Sequence, residues 1–109
     1  VTTRPGRNNE PAVLVLTSLA SGAKHGHALA RDIEEFAGVR LGPGSLYGAI
    51  TRLEERGLIA PLPSDERRRP YELTATGRAE LAAAVQAMAR VVAAGSTRLG
   101  LRVIDLRPA

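Results

Sequence analysis

Ser45, Tyr47, Gly48, Thr51 and Arg52 lie within eight consecutive positions and offer two short hydroxyls, a phenol, a bare stretch of backbone and a guanidinium. Groups of these kinds read base edges in a DNA major groove. Short hydroxyls donate or accept there, an arginine reaches guanine, and a threonine methyl packs on that of thymine. Three consecutive arginines, Arg67, Arg68 and Arg69, form a second cluster. Guanidinium groups so placed bind phosphates or enter a narrow minor groove. Asp65 and Glu66 stand beside them and blunt the local potential, so a merely solvated tip is the competing reading. Arg52 also has a competing use, an ion pair with Glu55 on the same helix.

Catalytic chemistry finds no comparable support. The pair His25-x-His27 has metal-ligand chemistry but no third ligand converging in sequence. Gly42-Pro43-Gly44 precedes a helix yet lacks the lysine and spacing of a phosphate loop, and no nucleophile elbow or paired carboxylate stands in an apolar setting. The chain has no cysteine, which removes disulfides and thiolate metal sites. We therefore expect neither enzymatic activity nor a cofactor or metal.

The spacing of apolar residues says which elements must hold these groups. Residues 1–10 are polar and without period, a flexible arm. Pro11 suits a first helical turn, and Ala12 to Leu19 is apolar nearly all round, as in a short buried helix closed by Ser21-Gly22; Val13 to Leu16 taken alone also fits a strand. Leu29, Ile33 and Phe36 recur at i, i+4, i+7 in a second, amphipathic helix over Gly26 to Phe36, with Gly38 as its stop. Pro43 opens a third helix in which Leu46, Ile50 and Leu53 share the inner face until Gly57, so Tyr47, Gly48, Thr51 and Arg52 face outward. Its N-terminus presents the N–H groups of Gly44 and Ser45 to an anion.

Leu58 to Leu62 and Pro70 to Thr74 flank the arginine cluster and read as a two-stranded ribbon, with Pro61, Pro63 and Pro70 keeping its edges free. Thr74 is a good N-cap for a long final helix. In it Leu81, Val85, Met88, Val92 and Leu99 recur at helical spacing, a seam that two chains would share, and the flanking alanines allow close approach. The competing reading folds this seam back on the chain's own core. Gly95 and Gly100 weaken the end of the helix, and residues 101–109 have no clear period.

These elements give a fold that is mainly α with a small β-hairpin. A winged helix-turn-helix over 11–74 is followed by a dimerisation helix over 75–100 and a tail over 101–109. A chain of 109 residues with 44% hydrophobic content suffices for one such domain. Its 15 Lys and Arg against 11 Asp and Glu give a net charge of +4, which suits a polyanionic partner. The surplus lies in the last two thirds of the chain. Residues 1–39 carry four basic and four acidic side chains, 40–78 seven against five and 79–109 four against two. No apolar run reaches the roughly eighteen residues of a membrane span and no signal-peptide core precedes Pro11, so a soluble cytoplasmic protein without membrane partner is expected.

The run Leu41 to Ile59, LGPGSLYGAITRLEERGLI, resembles the recognition-helix signature of the PadR family of bacterial transcriptional regulators. Arg69 to Arg78, RPYELTATGR, is similar to that family's wing strand and the start of its last helix, and His25 to Leu29 resembles the opening of its second helix. The three blocks occur in the family's order and spacing, and the resemblance covers roughly residues 11–95. It implies a homodimer on a palindromic DNA operator, usually repressing, with release by a small molecule in some members. It also implies DNA contacts from Ser45 and Tyr47 and pairing through the final helix, as in the compact subfamily with a short C-terminal part; Tyr71, in the wing block, is expected to join the DNA-contacting residues. Two positions depart from the pattern. His27 stands where a tyrosine commonly touches the DNA backbone, and Gly42 stands where a serine often caps the recognition helix. An imidazole still donates to a phosphate.

The expected partners are thus double-stranded DNA, a second copy of the chain and, in a sensor variant of the reading, a small apolar effector lodged near Met88 and Val92. The absence of tryptophan and only 3% aromatic residues give that effector no evident stacking platform. A winged-helix module that binds another protein is the alternative from a different class.

Overall fold

The most apolar stretch of the chain becomes its centre. Helix α1 (Pro11–Leu19) starts on a proline in its first turn and buries Leu14, Val15, Leu16 and Leu19. It packs against the second, third and fourth helices and the second strand, so almost every bearing around it needs an apolar side chain. That settles Val13 to Leu16 as helix. The structure, a computed structural model, describes residues 10–64 and 68–102. The arm at 1–9, Arg67 with its acidic neighbours at 65–66, and the tail from 103 lie outside the described residues.

Helix α2 (Gly26–Ala37) buries Leu29 and Ile33 and stops at Gly38, whose φ of 68° is the left-handed turn that glycine adopts without a Cβ penalty. One polar link joins α1 to α2: the buried Ser18 hydroxyl donates to Asp32 Oδ2 at 2.6 Å. Phe36 differs from expectation. It shares the bearing of Leu29 and Ile33 yet is 47% exposed, because periodicity sets a direction but not what covers a ring in the helix's last turn.

Helix α3 (Pro43–Glu55) buries Leu46, Ala49, Ile50 and Leu53. Its end is closed twice: the Leu58 N–H donates to Leu53 O at 3.0 Å and the Gly57 N–H to Glu54 O at 3.0 Å. Gly57 has a φ of 75°, and the two flanking leucines are buried, which is the full glycine stop with its apolar clasp. The chain then enters strand β1 (Ile59–Pro61), paired antiparallel with β2 (Tyr71–Leu73) in the register Ile59 with Leu73 and Pro61 with Tyr71. A third segment joins this ribbon. Lys24 and Tyr71 exchange backbone bonds of 3.1 and 2.9 Å, which ties the start of α2 to the wing.

Helix α4 (Ala75–Leu99) begins on Thr74, whose hydroxyl accepts from the Gly77 N–H at 3.0 Å and donates to Gly57 O at 2.7 Å. Gly77 is pressed against Leu58. A Cβ there would collide with the Leu58 carbonyl oxygen and stand 2.9 Å from its carbon. Leu81 is the last side chain of α4 buried in the core. It was expected in the seam shared between chains; its own chain already covers it to 7% exposure, whereas the rest of the seam emerges beyond it. Among the described residues no helix is long and apolar enough to cross a membrane.

The contact at Gly77 is backbone against backbone, so no rotamer relieves an added methyl. Gly77→Ala is expected to cost about 1–3 kcal/mol, read as a fall in thermal midpoint. Gly44→Ala, with open space around its Cβ, is expected to shift the midpoint little.

Candidate nucleic-acid interface

With Leu46, Ile50 and Leu53 turned into the core, the opposite side of α3 carries Ser45, Tyr47, Thr51 and Arg52, all exposed, and Gly48 between them. No side chain caps the helix at Gly42, so among the described residues the N–H groups of Gly44 and Ser45 have no side-chain acceptor at the positively polarised end. The Thr51 hydroxyl donates to Tyr47 O at 2.9 Å, which leaves its methyl and its oxygen lone pairs for a partner. The guanidinium of Arg52 lies along Gly48, where an added Cβ would come within 3.3 Å of its Nη1. No ion pair joins Arg52 to Glu55 among the described residues.

Two arginines are held by carboxylates among the described residues. Arg40 holds Glu34 at 3.0 Å, and Arg56 holds Glu80 at 2.6 Å, which links the end of α3 to α4. Arg52, Arg68 and Arg69 have no carboxylate partner among the described residues. Lys24 serves structure. Its ammonium donates to Ser18 O at 2.6 Å and Ser21 Oγ at 2.8 Å, closing the carbonyl end of α1.

The bridge between Lys24 and Tyr71 brings three elements to one groove. His25, Gly26 and His27 from the start of α2, Tyr47 from α3, and Arg68, Arg69 and Tyr71 from the wing line a space of about 350 Å³. Five of the residues singled out from the sequence meet here: His27, Tyr47, Arg68, Arg69 and Tyr71. Arg67 lies outside the described residues. Tyr47 is 51% exposed, with its phenol end resting on Gly26, where a Cβ would come within 2.8 Å of Cζ and would also meet the hydroxyl. The glycine is what lets the phenol lie against the first turn of α2, a relation no sequence periodicity reveals. The sequence pointed to His25 only as a metal ligand and did not place it with the DNA-contacting residues; it caps α2 with its backbone and has a buried Nδ1 without a partner among the described residues.

Residues 15–83 match the family model described as the transcriptional regulator PadR-like family. The chain belongs to the PadR-like family. A curated relative, an uncharacterized 37.1 kDa protein in transposon TN4556 of Streptomyces fradiae, is 48% identical over 85 residues, 78% of this chain and 25% of that protein. The chain thus spans about a quarter of that relative's length. A PadR family transcription regulator from hypervirulent Clostridium difficile R20291 shares the fold with a TM-score of 0.72 at 24% identity, over 84% of this chain and 98% of that one. A transcriptional regulator from Clostridium thermocellum, Cth-833, gives 0.74 at 20% identity, over 89% and 97%. These likenesses show a PadR winged-helix fold with a C-terminal helix.

Gly26→Ala tests the seat of Tyr47. The added methyl displaces the ring end and leaves the backbone alone, so the stability change is expected to stay within about 0.5 kcal/mol. The Tyr47 ring resonances should move clearly, and unchanged ring shifts would show that the phenol does not rest there.

Proposed function

We propose that this PadR-like chain binds duplex DNA sequence-specifically as a homodimer and acts as a repressor on a palindromic operator. The observation that carries the reading is the single face formed by the outer side of α3, the start of α2 and the wing. That face carries Arg52, Arg68 and Arg69, which have no carboxylate partner among the described residues. In this reading α3 enters the major groove, with Ser45, Thr51 and Arg52 toward base edges and Tyr47 and Gly48 along the backbone side. His27, Tyr71 and the wing arginines Arg67 to Arg69 take phosphates or the adjacent minor groove. Membership in a regulator family supports this role over catalysis, and such a role belongs to the cytoplasm, where the DNA is.

The pairing of two chains rests on α4. At 100° per residue Leu81, Val85, Met88, Val92, Gly95 and Leu99 fall within about 40° of one line. Leu81 is taken by its own core, but Val85, Val92 and Leu99 are 46, 44 and 74% exposed and Met88 is half-buried. An apolar seam that leaves the core and continues for four turns supports a partner helix of the same kind. A two-fold pair then presents two copies of α3, which is the geometry of a palindromic site.

Fluorescence anisotropy with a duplex from the gene's upstream region, against random duplex, tests the DNA reading across salt concentrations. The double variant Arg68→Ala/Arg69→Ala removes two arginines from each chain of the dimer and is expected to flatten the log affinity against log salt plot by roughly three to four units, about 0.9 for each phosphate contact. Equal affinity for random duplex, or an unchanged slope in the variant, would contradict it.

Val92→Glu places a charge in the middle of the seam without touching the core. Sedimentation analysis should find a dimer for the native chain and a monomer for the variant at the same helical content. A native monomer would contradict the pairing.

A further inference from the structure

We propose that the groove between α2, α3 and the wing is a binding site for a small phosphate monoester carrying a ring, and that its occupancy displaces DNA. The competition rests on the DNA-binding reading; the site does not. The groove encloses about 350 Å³, at the lower end of the roughly 300–1,000 Å³ typical of small-molecule sites. Its lining is two arginines, two histidines, two tyrosines and a glycine, without a carboxylate among the described residues.

Charge and shape both favour a free monoester over a backbone phosphate alone. A phosphodiester of DNA brings a single negative charge, whereas a monoester carries about −1.5 to −2 at neutral pH and three acceptor oxygens. Arg68 and Arg69 supply two guanidinium forks, without a carboxylate partner among the described residues, that suit such a group. The first turn of α2 adds N–H groups that no side chain caps among the described residues, and His25, whose buried Nδ1 has no partner among them, lines the same groove. The phenols of Tyr47 and Tyr71 and the two imidazoles are flat walls for the rest of the ligand, so a ring on the phosphate has faces to stack on. This site lies on the DNA-facing side, apart from the apolar seam of α4. A ligand held there occupies the residues that the DNA backbone needs, so release follows from direct competition.

The test uses the full chain without DNA, titrated with adenosine 5′-monophosphate, inorganic phosphate or adenosine at constant ionic strength. The imidazole C–H resonances of His25 and His27 and the ring resonances of Tyr47 are followed by NMR. Expected are saturable shifts with the monophosphate, weaker saturation at the same resonances with phosphate, and none with adenosine. Arg68→Ala/Arg69→Ala should weaken monophosphate binding tenfold or more. Shifts that grow linearly and match those of added chloride, or saturation confined to α4 resonances, would overturn the site. A second arm adds the monophosphate to the DNA complex and should release DNA beyond what chloride of equal ionic strength does. DNA binding that persists with the groove saturated overturns the competition. Saturation of the groove in a chain that binds no DNA overturns the DNA reading and leaves the site.

Discussion

Burial of Leu46, Ile50 and Leu53 against α1 is the constraint on which the functional surface depends. Each of these side chains is 3% exposed or less, and at about 1.5–3 kcal/mol for each fully buried side chain they fix the rotation of α3 about its axis. Once that rotation is set, Ser45, Tyr47, Thr51 and Arg52 have no choice but the outer side. The double closure at Gly57 then ends the helix and leaves only three residues before the first strand. The polar groups of α3 are therefore placed by apolar ones that lie in the core.

The remaining parts of the surface come from close approaches that small residues permit. Gly77 brings the start of α4 onto Leu58, and Thr74 ties that turn to Gly57, so the base of the wing is anchored to the end of α3. On the other edge the backbone pair of Lys24 and Tyr71 draws the start of α2 to the wing, and Gly26 makes room for the phenol of Tyr47. Ion pairs at Arg40 and Arg56 hold structure, while Arg52, Arg68 and Arg69 on the outer face have no such partner among the described residues. A net surplus of four positive charges says little by itself; the groove between α2, α3 and the wing concentrates charge locally, with Arg68 and Arg69 and no carboxylate among its described lining residues.

Long, strongly periodic elements were legible in the sequence. The spacing of Leu46, Ile50 and Leu53 gave the inner face of α3, Gly38 and Gly57 marked true stops, and Thr74 is the cap it was expected to be. What the sequence did not disclose depends on contacts between distant segments. A one-residue bridge at Lys24 has no period to detect, and nothing local marks Gly26 or Gly77 as a seat for a neighbour. Phe36 and Leu81 show the same limit from the other side, since a helical bearing says where a side chain points and not whether its own chain covers it. The groove that joins α2, α3 and the wing was thus readable as a set of residues, but not as one place.

Amide hydrogen exchange with and without an upstream duplex tests most directly whether these three elements form one nucleic-acid surface. The account predicts protection on adding DNA at 26–28, at 44–52 and at 68–71, with the outer turns of α4 unchanged. Protection confined to α4, or an exchange pattern that the duplex does not alter, would contradict it.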